Sequence, residues 1–192
     1  MIEGAVAPGL EGVRAAFERC LAELGETGGA FCAIVDGRTV ADLRAGLDRD
    51  ALVHLYSVSK PVAAFSVLVV VDRRGLGLDD RVADHWPEFG QAGKETVTVR
   101  QVLSHQAGLP ALREPQPADT LLDHDRMCAL LAGERPWFAP GAAHAEHALT
   151  YGHLCAELVR RVDGRTLGAF WREEVAGPWR LDLHVGLRDA LR

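Results

Sequence analysis

Apolar residues recur every three or four positions from Leu10 to Leu24, through Val13, Phe17 and Leu21, which predicts an amphipathic helix over 10–24. Gly25, Gly28 and Gly29 close it. AFCAIV at 30–35 and RTVADLRAG at 38–46 then read as two strands, joined at Asp36-Gly37 by a tight hairpin turn. The period changes at Ser57. SKPVAAFSVLVVVDRR predicts one long helix from about 57 to 73, apolar on most faces, as expected of a helix buried in the middle of a protein. Its valines are poor helix formers, so tertiary burial has to hold it. Pro61 falls near its start, where a missing N–H costs least. A short helix around 79–85 follows, then a helix over 99–105 opened by a Thr98–Gln101 capping box, then helices at 120–132, 147–162 and 167–176. After residue 46 the only further strand pattern is a short one at 181–186. A lone two-stranded hairpin is marginal and presents unpaired edges, so the sheet reads as lacking members and self-association through its open edges is expected.

The length, 192 residues, fits one domain or one compact body with two lobes, large enough to bury a core. A net charge of -6 argues against a nucleic-acid partner. The N-terminus, MIEGAVAPGL, has neither a basic start nor an apolar core of secretory length, and the longest apolar stretch, 61–71, is too short to span a bilayer. The expectation is a cytoplasmic protein with no membrane partner. Cys20, Cys32, Cys128 and Cys155 lie far apart with no CxxC spacing and read as buried free thiols. The bases are nearly all Arg, with Lys only at 60 and 94, which leaves few candidates for a catalytic amine.

That restriction draws attention to YSVSK at 56–60. Residues three apart on the first turn of a helix share a face, so Ser57 and Lys60 come within hydrogen-bond reach. The helix N-terminus adds free N–H groups and partial positive charge beside the serine. An apolar helix behind Lys60 favours loss of the proton it must shed to act as base. This is the arrangement of an activated hydroxyl nucleophile. S-x-x-K by itself is common, and the competing reading is an N-cap serine beside a solvated lysine. The same letters also hold Tyr56-x-x-x-Lys60, the tyrosine–lysine spacing of short-chain dehydrogenases. That fold needs a glycine-rich turn after its first strand, whereas GETGG at 25–29 precedes the strand here. Tyr151, in LTYGH at 149–153 after the Pro140-Gly141 turn, is a second candidate, placed either to share the proton from Ser57 or to pack between lobes. His144, His147 and His153 are close in sequence but lack a partner set at convincing metal spacing, so neither metal nor cofactor is expected.

Several strings in order give the chain a resemblance to the serine β-lactamase, D,D-peptidase and esterase superfamily, nearest its class C-like carboxylesterase branch. They are YSVSK at 56–60, VDRRGLGLDDRVADHWPEF at 71–89, VTVRQVLSHQAGLP at 97–110, WFAPGAAH at 137–144 and the run from 147 to 178. The resemblance implies an α/β fold of the beta-lactamase/transpeptidase type. Its N-terminal helix and hairpin (1–56) would be followed by the catalytic helix and a mostly helical lobe (57–192), within a single incomplete domain. It implies Ser57 as nucleophile, Lys60 as proton-transfer partner and Tyr151, from the family's Y-x-N motif, as base and then acid. The asparagine of that motif is His153 here, which favours ester over β-lactam hydrolysis. Tyr56, His105 and His153 are cleft candidates, His105 holding the loop that borders the cleft.

The implied reaction is hydrolysis of a small ester or amide, with short esters first. The alternatives are β-lactamase or D-amino-acid peptidase activity, or an impaired, truncated relative acting as a binding protein. The family's third element, a K-T-G or H-x-G strand lining the cleft, has no counterpart in the 192 residues. Loss of one oxyanion donor with it costs about 3–4 kcal/mol, on the order of a few hundredfold in rate.

Overall fold

The computed structural model describes residues 1–187, and the chain divides into two compact units, Met1–His54 and the remainder from Leu55. In the first unit β1 (Ile2–Val6), α1 (Glu11–Leu24), β2 (Gly29–Val35) and β3 (Arg38–Ala45) form a helix beside an antiparallel sheet in the order β1-β3-β2. The sheet therefore has three strands rather than two. The extra strand, β1, covers one edge of the hairpin, with Ile2 opposite Ala45 and Val6 opposite Ala41. It escapes a reading by alternation because it is five residues long and holds Gly4 at its centre. That glycine is required: its φ is +99°, and a Cβ there would lie 1.9 Å from the Asp42 carbonyl oxygen. Ala41, Leu43 and Ala45 alternate along β3 as its buried face.

The second unit opens with a 3-10 turn at Tyr56–Val58 that leads into α2 (Ser59–Arg73). Then come α3 (Val82–His85), α4 (Val99–Leu103), α5 (His124–Gly133), α6 (Tyr151–Asp163) and α7 (Leu167–Trp171). One π-helical turn, Arg172–Ala176, joins α7 to α8 (Gly177–Trp179). Residues 181–186 form no strand. α2 buries one stripe, Val62, Ala63, Ser66, Val67 and Val70, and leaves Phe65 and Leu68 exposed, so it is less enclosed than its composition predicts. The stripe packs on α6, whose Leu154, Cys155, Leu158 and Val159 continue the core. Trp86 and Phe89, their rings 5.0 Å apart, fill it from the segment after α3.

The capping box at α4 is complete: the Gln101 N–H donates to Thr98 Oγ1 at 3.2 Å and the Thr98 N–H to Gln101 Oε1 at 3.0 Å. The helix ends at Leu103, two residues early, because His105 takes a left-handed φ of 61° and turns the chain away. α6 starts at Tyr151 instead of 147, because residues just before it bond to the loop after α4. Leu109 donates its N–H to His147 Nε2 at 3.1 Å, and Thr150 Oγ1 donates to the Leu109 carbonyl at 2.7 Å. Tertiary partners thus displace what would have been the first helical turn.

All four cysteines are free, but only Cys128 and Cys155 are buried. Cys20 and Cys32 are exposed, on α1 and on the outer strand β2, against the expectation of four buried thiols. Among the described residues no helix is long and apolar enough to cross a membrane.

Candidate active site

Of the two lysines, Lys94 is spent on structure. It is fully buried, and its ammonium donates to the Gln91 carbonyl at 3.0 Å and to the Glu134 carbonyl. Burial pushes its pKa down, against the pull of Glu134 and Glu95. Lys60 remains as the candidate amine. Its Nζ lies 2.7 Å from Ser57 Oγ, the close approach that the three-residue spacing predicts. The serine sits on the 3-10 turn rather than on α2 itself, and Ser59 Oγ donates to the Tyr56 carbonyl at 2.5 Å, bracing that turn. Tyr56 takes a positive φ of 46°, uncommon for a bulky side chain, and its ring is exposed. Such strain beside a candidate nucleophile is characteristic of functional sites. Ser57 is exposed, whereas the Lys60 side chain is only 15% exposed.

The loop before α6 supplies a third group. Glu146 Oε1 lies 3.4 Å from Lys60 Nζ. Glu146 is not among the candidates read from the sequence. Its only sequence signal is its place between two histidines shortly after the Pro140-Gly141 turn. His105 anchors this loop. Its carbonyl accepts from the Ala145 N–H at 3.2 Å and its Nδ1 accepts from the His147 N–H at 3.1 Å. His105 Nδ1 is therefore an unprotonated acceptor. Burial lowers the pKa of His105. Glu146 pulls it the other way, and Lys60 and His144 add to the lowering. In His147, Nε2 accepts from Leu109, so its proton is on Nδ1 and goes to the Ala145 carbonyl at 2.7 Å. Burial lowers the pKa of that ring as well, the Ala145 bond opposing and His105 reinforcing.

Tyr151, which the resemblance makes base and then acid, opens α6. Its hydroxyl donates to the Leu103 carbonyl at 3.1 Å and its ring stacks on His105 with centroids 4.5 Å apart. Burial, with Cys155 beside it, holds the phenol well above its usual range. Glu146 lies against Lys60, and Tyr151 stacks on the histidine that pins the Glu146 loop.

His153 belongs to another cluster, not to this one. Its Nδ1 is 3.4 Å from His124 Nδ1, in the packing between α5 and α6, and burial and His124 lower its pKa. His124, Cys128 and Glu157 bring three possible metal donors close together. Both oxygens of the buried Glu157 carboxylate are already taken, by Arg160, by Arg161 at 2.6 Å and by His124 at 3.1 Å. Burial raises the Cys128 pKa strongly, so its thiol stays protonated. Two guanidiniums already balance the carboxylate, and the set does not fit a cation.

Comparison with known proteins adds an independent line. A family description reading Beta-lactamase matches residues 13–191. Esterase/beta-lactamase LipL of Mycobacterium tuberculosis is 39% identical over 169 residues, which cover 83% of this chain and 39% of that protein. Esterase EstB of Burkholderia gladioli is 38% identical over 169 residues, covering 78% of this chain and 41% of that protein. Among solved structures, a penicillin-binding protein homologue from Caulobacter crescentus superposes over 100% of this chain and 54% of its own, with a TM-score of 0.89 and 41% identity. A family VIII carboxylesterase does so with a TM-score of 0.88 and 39% identity, over 100% of this chain and 55% of its own. The chain thus spans about two fifths of these curated relatives and about half of these solved structures.

Proposed function

The chain belongs to the beta-lactamase family, and on that premise we propose that it is a serine hydrolase cleaving short carboxylic esters through an acyl-enzyme on Ser57. The observation that carries this reading is the 2.7 Å approach of Lys60 Nζ to Ser57 Oγ. Ser57 Oγ attacks the ester carbonyl while its proton passes to the Lys60 amine. The tetrahedral adduct expels the alkoxide, which takes that proton and leaves as alcohol. Water then attacks the acyl-serine, gives a proton to Lys60 and releases the acid, and the proton returns to Ser57. Backbone N–H groups at the N-terminal end of α2 supply positive potential for the oxyanion.

Esters are favoured over β-lactams as substrates by what the similar proteins are called. Esterase and carboxylesterase stand among those names, while LipL carries both activities in its name.

The test is turnover of a short-chain nitrophenyl ester beside a chromogenic cephalosporin. The expected result is saturable ester hydrolysis, with kcat/KM for the β-lactam lower by about tenfold or more. Preferred hydrolysis of the β-lactam would shift the reading to a β-lactamase or peptidase. Turnover of neither substrate would favour a binding protein.

A further inference from the structure

We infer that Glu146 completes the Ser57–Lys60 pair as a positioning residue. Its carboxylate aims the Lys60 amine at Ser57 and stabilises the ammonium formed when that amine takes the serine's proton. The inference rests on the proposed role of Ser57 as nucleophile. Three observations carry it. Glu146 Oε1 is 3.4 Å from Lys60 Nζ, and the same Nζ is 2.7 Å from Ser57 Oγ, so the lysine stands between hydroxyl and carboxylate. The stretch bearing Glu146 is fixed on both sides, since the N–H groups of Ala145 and His147 both bond to His105, at 3.2 Å and 3.1 Å. The His147 ring closes the same stretch through Leu109 and Ala145. The Glu146 side chain is 66% exposed, and an exposed pair of this kind contributes little to stability, so fold stability does not account for so firmly held a loop.

The logic is that of a nucleophile whose base is oriented by a third group. The charges of Glu146, Lys60 and His144 all act on His105, which places these groups in one neighbourhood. His105 is held as an acceptor, so the carboxylate is the counter-charge available to the ammonium.

Without the carboxylate the ammonium formed in the transition state loses its partner and the amine its aim, so the chemical step slows while substrate binding is kept.

The experiment measures kcat and KM for ester hydrolysis, and labelling of Ser57 by a fluorophosphonate probe, for the full chain, Glu146→Gln and Glu146→Asp. In the glutamine variant kcat is expected to fall about ten- to a hundredfold with KM within about twofold of wild type. The aspartate variant, which keeps the charge, should recover most of that loss. A glutamine variant with wild-type kcat, or one whose loss lies in KM or is not recovered by aspartate, overturns the inference. A wild-type chain in which Ser57 takes no label overturns the nucleophile reading and this one with it. Labelled Ser57 with kcat unchanged in Glu146→Gln overturns this one alone.

Discussion

Lys60→Met is expected to slow acylation of Ser57 by about a thousandfold, within the 10²–10⁴ range that a positioned general base contributes. Lys60 is the amine at hydrogen-bond distance from the serine, and the chain's other lysine is buried on two carbonyls. Lys60→Arg separates charge from proton acceptance. A guanidinium keeps the positive charge and the hydrogen bonds but does not give up a proton in the working pH range. It should therefore be as slow as the methionine variant. If it retained more than a tenth of the wild-type rate, Lys60 would act as an electrostatic anchor and the base would have to be sought elsewhere. The rates are read from the burst of nitrophenol or from probe labelling, with near-ultraviolet circular dichroism confirming the fold.

The second large effect concerns stability. Glu157→Gln is expected to cost about 3 kcal/mol, lowering Tm by on the order of 10 °C. Burial alone would raise the Glu157 pKa, but hydrogen bonds from Arg160, Arg161 and His124 outweigh it and bring it to about 2. Against an unfolded value of about 4.3 the difference is worth roughly 3 kcal/mol. The folded pKa is depressed, so this contribution is complete above about pH 5 and disappears as pH falls toward 2. Urea unfolding of the wild type should therefore weaken between pH 5 and pH 3, and the glutamine variant should show a shallower slope over that window. Arg160 also reaches Asp125 and Arg161 reaches Glu88, so the same carboxylate ties α6 to neighbouring segments. A variant within 1 kcal/mol of wild type, with an unchanged pH slope, would mean that desolvation of the buried pair cancels its attraction.

What the sequence discloses depends on how local the cause is. The helix at 11–24, the hairpin and the Thr98–Gln101 box are written in nearest neighbours and turn residues, and each forms within a residue or two of its expected bounds except where His105 cuts α4 short. β1 is held by pairing with a strand far along the chain and by a glycine fitted against Asp42, neither of which shows in five residues. The start of α6 is set by Leu109, from outside the segment.

The site divides in the same way. Ser57 and Lys60 are three residues apart at the start of a helix, so their meeting follows from helical geometry. Glu146 is brought to Lys60 by a loop pinned on His105, and no spacing rule connects the two. Tyr151 and His153 are two residues apart on α6 and so point to different sides, one to His105 and one to His124. One motif therefore gives its two residues different neighbours.

The most direct test of a hydrolase working through Ser57 is to trap the acyl-enzyme. The full chain is mixed with a nitrophenyl ester, quenched in acid within the burst, and analysed by intact mass and peptide mapping beside Ser57→Ala. The account predicts one acyl group per chain, carried on the peptide containing Ser57 and absent from the alanine variant. An adduct on another residue, or ester turnover that Ser57→Ala leaves unchanged, would contradict it.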